Sequence, residues 1–175
     1  MTLLKLVACM MLATLVTASV LPKPRQPVDV FRMMAHFPRA VIVYASTNET
    51  ALKCATTTRT YFDPGAKKAT YVWDLKSDGY SVTGNIRYDV EEGNSPDAAT
   101  FFVENDRTRP YTAICVYTDY NTCFVLKMPF QGQEQCMLWV KPAVIDSIPG
   151  HCRNKYKQNC PVRFPTYNND LCEVE

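Results

Sequence analysis

The chain has few of the residues on which enzymes and metal sites depend. Among its 175 residues there are only two histidines, His36 and His151, and only six glycines. It contains no Gly-x-Ser-x-Gly elbow, no His-Glu-x-x-His pair and no glycine-rich phosphate loop. It also lacks the Cys-x-x-Cys pairs typical of structural zinc sites. These absences predict a protein that is not an enzyme and that uses no cofactor and no metal ion.

Neither sign of charge predominates. There are 19 Lys and Arg residues against 17 Asp and Glu residues, a net charge of +2. Proteins that bind nucleic acids or anionic membranes are usually far more basic. Nucleic acid and membrane are therefore not expected as partners.

Long apolar runs are missing after the first eighteen residues. Within those residues, the single charge of Lys5 precedes an apolar run over 6–16, and small residues end at Ala18. This is the pattern of a secretory signal peptide over residues 1–18, and the run is too short for a transmembrane helix. The sequence therefore predicts a secreted, extracellular protein whose remaining length suits one domain.

Cysteine is abundant for a chain of this size. Of eight cysteines, Cys9 lies within the predicted signal peptide, which leaves seven: Cys54, Cys115, Cys123, Cys136, Cys152, Cys160 and Cys172. An oxidising compartment favours disulfides. Because seven is odd, at most three intrachain bridges form, and one thiol stays buried, free or paired with another chain.

The order of strand-like and turn-like segments predicts an all-β protein. Residues 19–39 are expected to form an extended, proline-containing arm and a short helical turn over 29–37. From residue 40 to 175 we expect one eight-stranded antiparallel barrel, its strands separated by Gly, Pro, Asn and Asp turns. The apolar strand 40–44 is predicted to pack on both faces. The predicted strands cover residues 40–44, 51–62, 69–75, 80–90, 100–104, 111–118, 123–128 and 135–141.

Two features stand outside the strand pattern. Ser147 and Pro149 precede residues 151–158 and indicate a capped C-terminal helix with proline in its first turn, followed by an extended tail to Cys172. Asn48 begins an Asn-Glu-Thr sequon in a polar loop, which predicts N-glycosylation in a secreted chain.

Three segments carry a resemblance to a known family. They are residues 117–126 (YTDYNTCFVL), 135–140 (QCMLWV) and 146–156 (DSIPGHCRNKY). Together they resemble the strand, strand and helix around two half-cystines in the tick salivary lipocalins, which include the histamine-binding proteins. The resemblance extends from residue 40 onward and is strongest over the last sixty residues or so. The Gly-x-Trp signature of other lipocalins is missing near the N-terminus.

The resemblance implies two disulfides. It pairs Cys54 with Cys172 and Cys123 with Cys152. Cys136 and Cys160 are the best remaining pair because they bracket the predicted helix. Cys115 is then the odd thiol, and pairing with a second chain is the less favoured alternative to a monomer.

Alternation along the strands identifies candidate ligand-binding residues. Side chains two residues apart share a face, and the aromatic members of such pairs can stack on a flat or apolar ligand or attract a cationic amine. Filling of a solid core is the competing interpretation. Val103 shares a face with Phe101, and Ala113 shares one with Tyr111. The candidates are Tyr71, Trp73, Phe101, Tyr111, Met137 and Trp139.

The resemblance also bears on the ligand. Amine binders of the family place a carboxylate immediately before the Leu-Trp pair of the last strand, and here that position is Met137. Ala113 and Ile114 stand where another inward acid is expected. The sequence therefore favours a secreted lipocalin that sequesters an apolar or amphipathic host mediator, such as a lipid mediator, sterol or fatty acid, to suppress inflammation or haemostasis. The alternatives are a biogenic amine, with Asp74, Asp89 or Glu104 as its counter-charge, or capture of a host immune protein.

Overall fold

A computed structural model describes residues 27–76 and 83–172. The predicted signal peptide and most of the predicted arm lie outside these residues. The chain forms helix α1 (Val30–His36) and helix α2 (Gly150–Asn159), with 3₁₀ turns at Thr50–Leu52 and Pro142–Ser147. The strands within the described residues are β1 (Arg39–Ala45), β2 (Thr56–Asp63), β3 (Lys68–Leu75), β4 (Gly84–Glu92), β5 (Ala98–Val103), β6 (Tyr111–Thr118), β7 (Cys123–Phe130), β8 (Gln133–Val140) and β9 (Phe164–Pro165).

Strands β1 to β8 close into an antiparallel barrel. Neighbours along the chain pair from β2 through β8, and β1 completes the ring by pairing with both β2 and β8. The two-residue strand β9 pairs with the end of β1, at Tyr44 and Ala45. The predicted eight-stranded barrel with a C-terminal helix is confirmed.

Helix α1 covers one end of the barrel. Its N-terminus is fixed by Asp29, whose side chain accepts a hydrogen bond from the Arg32 amide. The Val30 amide donates to the Pro96 carbonyl (2.8 Å) and the Asp29 amide to the Tyr120 hydroxyl (2.9 Å), so α1 is tied to two loops at this end. Its buried side chains enter the barrel core. The tight β7–β8 connection lies at the opposite end of the barrel, because β7 runs away from the β6–β7 loop that contains Tyr120.

Helix α2 packs on the outside of the barrel. Its buried residues, Cys152 and Tyr156, join a cluster with outward-facing side chains of β1, β7 and β8. The Tyr156 hydroxyl donates to the Val162 carbonyl at 2.8 Å. Strand β1 is therefore covered on both faces, which explains its unbroken apolar run and agrees with the prediction for residues 40–44.

Three disulfides connect the barrel to the C-terminal segment. Cys123–Cys152 and Cys136–Cys160 attach β7 and β8 to the two ends of α2. Cys54–Cys172 ties the segment before β2 to the tail, where the Cys54 amide also donates to the Thr166 carbonyl at 2.8 Å. These are the pairs expected from the sequence.

Several predicted boundaries were wrong. Strand β2 begins at Thr56 rather than at residue 51, because residues 50–52 form a 3₁₀ turn in which Glu49 accepts from the Ala51 amide. Cys54 then takes a left-handed conformation (φ 54°), which interrupts extended structure. Helix α2 begins after Pro149 without a side-chain cap, so Ser147 does not cap it and instead ends the preceding 3₁₀ turn. Strand β4 starts at Gly84, and part of the predicted span 80–90 lies outside the described residues.

Cys115 is the free cysteine among the described residues, and it is fully buried. Burial raises the pKa of its thiol to about 12. We therefore expect no reaction with Ellman's reagent at pH 8 in the folded state, and one thiol per chain lacking residues 1–18 after unfolding in guanidinium without reductant. Rapid labelling of the folded protein, or a disulfide-linked dimer on a non-reducing gel, would contradict this placement.

Candidate functional site

A cavity lies inside the barrel, next to helix α1. Its volume is about 70 Å³. Three of its lining residues come from α1 and the rest from the seven strands β2 to β8: Val30, Met33, Met34, Thr57, Tyr71, Trp73, Tyr88, Val90, Ala99, Phe101, Ala113, Phe124, Leu126, Met128 and Trp139. Nearly all of them are apolar or aromatic, as is typical of a pocket for a small organic ligand.

The two-residue repeat of the strands positions this lining. Tyr71 and Trp73 both enter from β3, and Tyr88 and Val90 both enter from β4. The Tyr71 hydroxyl donates to the Phe37 carbonyl at 3.0 Å, just after α1. Strand β3 and the end of α1 are thereby fixed to each other beside the cavity.

The six predicted ligand-binding residues are distributed over three places. Tyr71, Trp73, Phe101 and Trp139 line the cavity. Tyr111 lines a separate groove toward the β7–β8 end of the barrel, which shares Tyr88 and Phe101 with the cavity and also contains Val103. Met137 is fully buried in the same core without lining the cavity. Their role in binding stays a prediction.

Several lining residues were missed by the sequence analysis. Phe124, Leu126 and Met128 of β7 alternate with outward residues, so their period of two was a usable signal. No comparable signal exists for Met33 and Met34, because their place inside the barrel depends on how α1 docks.

Aromatic rings form a continuous series through the barrel. Trp139 lies 6.2 Å from Phe124 and 4.7 Å from Trp73, measured between ring centroids. Trp73 is 4.8 Å from Tyr88, and Tyr88 is 5.6 Å from Phe101. These distances suit edge-to-face and offset contacts, so the cavity wall is built from mutually supporting rings.

No residue lining the cavity, among those the structure describes, carries a charge. The three carboxylates considered as counter-charges for an amine lie elsewhere. Asp89 lies between the inward residues Tyr88 and Val90 and pairs on the outer face with Arg87 at 2.9 Å. Burial opposes ionisation of Asp89, but hydrogen bonds from Arg87 and Thr70 outweigh it and lower its pKa. Exposed Glu104 accepts from the Arg87 amide, and Asp74 follows inward Trp73 on β3.

Two polar atoms in the cavity residues lack a hydrogen-bond partner. They are the indole Nε1 of Trp139 and the hydroxyl Oγ1 of Thr57, in side chains that are almost completely buried. Buried polar atoms of folded proteins are nearly always paired. The two unpaired atoms are therefore unusual, and they belong to a site whose other lining residues are almost all apolar.

A second cluster of chemically active residues lies between β7 and α2. The donor atoms of Asp119, Cys123, His151 and Cys152 are within 4.8 Å of one another. Cys123 and Cys152 form a disulfide, so neither offers a thiolate to a metal ion. His151 instead forms a 2.9 Å contact with Asp119. Hydrogen bonds to Asp119 from the Cys123, Thr122 and Asn121 amides and from the Thr122 hydroxyl overcome its burial and hold its pKa well below the usual range.

A closed eight-stranded antiparallel barrel with an interior cavity and a helix on its outer wall is the architecture of the lipocalins. Residues 26–174 match the family model described as tick histamine binding protein. The chain belongs to the tick histamine-binding protein family.

Solved structures share the fold at low sequence identity. The crystal structure of AM182 in complex with serotonin superposes with a TM-score of 0.64 at 15% identity, covering 86% of this chain and 96% of that chain. Japanin from Rhipicephalus appendiculatus, bound to cholesterol, gives a TM-score of 0.58 at 14% identity, with 77% and 95% coverage. Lobster apocrustacyanin A1 gives 0.57 at 12% identity, with 77% and 78% coverage.

No curated protein matches the chain at a significant level. Within the described residues, neither helix has the length and apolar character needed to cross a membrane. Asn48 is exposed in the loop after β1, so its sequon is accessible, and glycosylation there stays a prediction.

Proposed function

We propose that the protein is secreted in tick saliva and sequesters a small host mediator inside its barrel, with a preference for an apolar or amphipathic ligand over histamine. The observation that carries this proposal is the uncharged lining of the interior cavity. An ammonium group placed there loses its hydration without gaining a carboxylate, whereas an apolar group gains about 25 cal/mol for each Å² it buries. Removal of a mediator of inflammation or haemostasis is the proposed consequence.

The size of the cavity implies that its wall adjusts. Cavities that hold drug-sized ligands are on the order of 300–1,000 Å³, well above the 70 Å³ found here. Met33, Met34 and Met128 line the cavity, and unbranched methionine side chains change shape readily. We infer that ligand entry displaces methionine side chains of α1 and β7 while the strands stay paired.

A biogenic amine is the second candidate. The faces of Trp73 and Trp139 are able to attract a cation, and the similar AM182 structure is a serotonin complex. Cholesterol in the japanin structure supports the first candidate. The two candidates differ in whether a carboxylate must face the ligand.

Calorimetry with histamine, serotonin, a leukotriene and cholesterol separates them. We expect cholesterol, which is neutral, to bind more tightly than either amine, because the amines find no counter-charge. Matched variants Asp74→Asn, Asp89→Asn and Glu104→Gln should leave binding unchanged. Submicromolar histamine binding that one of these substitutions abolishes would overturn the proposal.

A further inference from the structure

Thr57 and Trp139, the two cavity residues whose side-chain polar atoms are unpaired, are linked through Trp73. Thr57 stands directly opposite Trp73 in the β2–β3 pairing. The Trp73 ring in turn lies 4.7 Å from the ring of Trp139. Trp73 therefore connects the two residues whose polar atoms lack partners, and all three line the cavity.

The hydrogen-bonding chemistry of these two atoms specifies which ligand groups can pair with them. An indole N–H is only a donor, while a threonine hydroxyl both donates and accepts. The Trp139 side chain is 1% exposed and that of Thr57 is 4% exposed, so bulk water does not satisfy either atom. A ligand oxygen that accepts a hydrogen bond from Trp139 removes the penalty of the buried, unpaired donor.

The cavity also restricts the charge of the ligand group that pairs with Trp139 and Thr57. The part of the chain that the structure describes places no lysine, arginine or carboxylate on the cavity wall. A ligand carboxylate would therefore be buried without a cation, and an ammonium without an anion, and both arrangements are strongly unfavourable. A neutral oxygen carries no such penalty.

Building on the proposed function, we propose that the cavity selects neutral apolar molecules that carry a hydroxyl or carbonyl oxygen. The oxygen accepts a hydrogen bond from the Trp139 indole, and the Thr57 hydroxyl serves as the second polar partner. Alcohols and ketones of sterol type belong to this class. Ionised fatty acids and protonated amines do not.

A matched series of nine-carbon probes tests this selection. Calorimetry compares nonane, 1-nonanol, nonanoate and nonylammonium on the disulfide-bonded protein. We expect 1-nonanol to bind more tightly than either charged probe. Relative to nonane, Trp139→Phe should weaken 1-nonanol by a further factor of roughly 2 to 10, the range for one net hydrogen bond.

Two further variants separate a lost hydrogen bond from a changed cavity shape. Phe124→Leu alters the ring whose centroid lies 6.2 Å from that of Trp139 and removes no polar atom, so nonane and 1-nonanol should weaken equally. Thr57→Val keeps the side-chain shape and should weaken 1-nonanol alone, even if Trp139→Phe does not fold.

An equal loss of nonane and 1-nonanol binding in Trp139→Phe and Thr57→Val, or charged probes that bind as tightly as 1-nonanol, would overturn this inference and leave the proposed function standing. Failure of all four probes to bind would reject both.

Discussion

Replacing Cys54 and Cys172 together by alanine is expected to lower the free energy of unfolding by about 5 kcal/mol. This disulfide closes a loop with a sequence separation of 118 residues, and in the chain-entropy model the gain grows with loop length. For a domain of this size the loss corresponds to a fall in melting temperature of roughly 10 to 20 °C. Thermal and guanidinium unfolding, followed by circular dichroism, measure it.

The matched control is the pair Cys136→Ala and Cys160→Ala. Its loop has a sequence separation of only 24 residues, so the same model gives a loss of about 3.5 kcal/mol. Both disulfides join the barrel to the C-terminal segment, so the two variants differ mainly in the length of the loop that the disulfide closes. A control variant that is less stable than the Cys54 and Cys172 variant would show that loop length does not decide the order.

Met137→Glu is expected to have the second large effect. Met137 is fully buried on β8, where the family resemblance implies an acid in amine binders. An unpaired carboxylate at this position should lower the free energy of unfolding by about 3 to 5 kcal/mol at neutral pH. Burial should raise its pKa, so the lost stability should return as the pH falls below that raised value.

The same variant tests the basis of ligand choice. Histamine should raise the melting temperature of Met137→Glu more than that of the wild type, because position 137 belongs to the same core as the cavity residues and the ammonium offsets the introduced charge. Met137→Gln is the control, since it has a similar shape and no charge. Equal responses to histamine in Met137→Glu and Met137→Gln would show that the identity of residue 137 does not control amine binding.

Local patterns in the sequence account for much of the barrel. The turn residues and the strand-like runs predicted its eight strands, and the apolar run over 40–44 predicted a strand covered on both faces. Patterns failed at residues 50–55, because a 3₁₀ turn and the left-handed Cys54 depend on local hydrogen bonds and on the link to the tail. The two-residue strand β9 was missed for a similar reason, since its partner β1 is distant in sequence.

At the site, the period of two along each strand was enough to show which side chains share a face. It placed Tyr71 on the same face as Trp73. The family resemblance showed that Met137 stands where amine binders have an acid. These conclusions needed only the two-residue repeat of extended chain and the family resemblance.

Which face of each strand became the interior, and which residues of α1 entered it, depended on contacts between distant parts of the chain. Closure of β1 onto β2 and β8 turned Trp73 and Trp139 toward each other and left Asp89 on the outer wall with Arg87. Docking of α1 brought Met33 and Met34 into the cavity. Alternation gives relative orientation within one strand, whereas the absolute direction depends on contacts between residues far apart in the chain. The unpaired Trp139 and Thr57 atoms became recognisable as a pair only through those contacts.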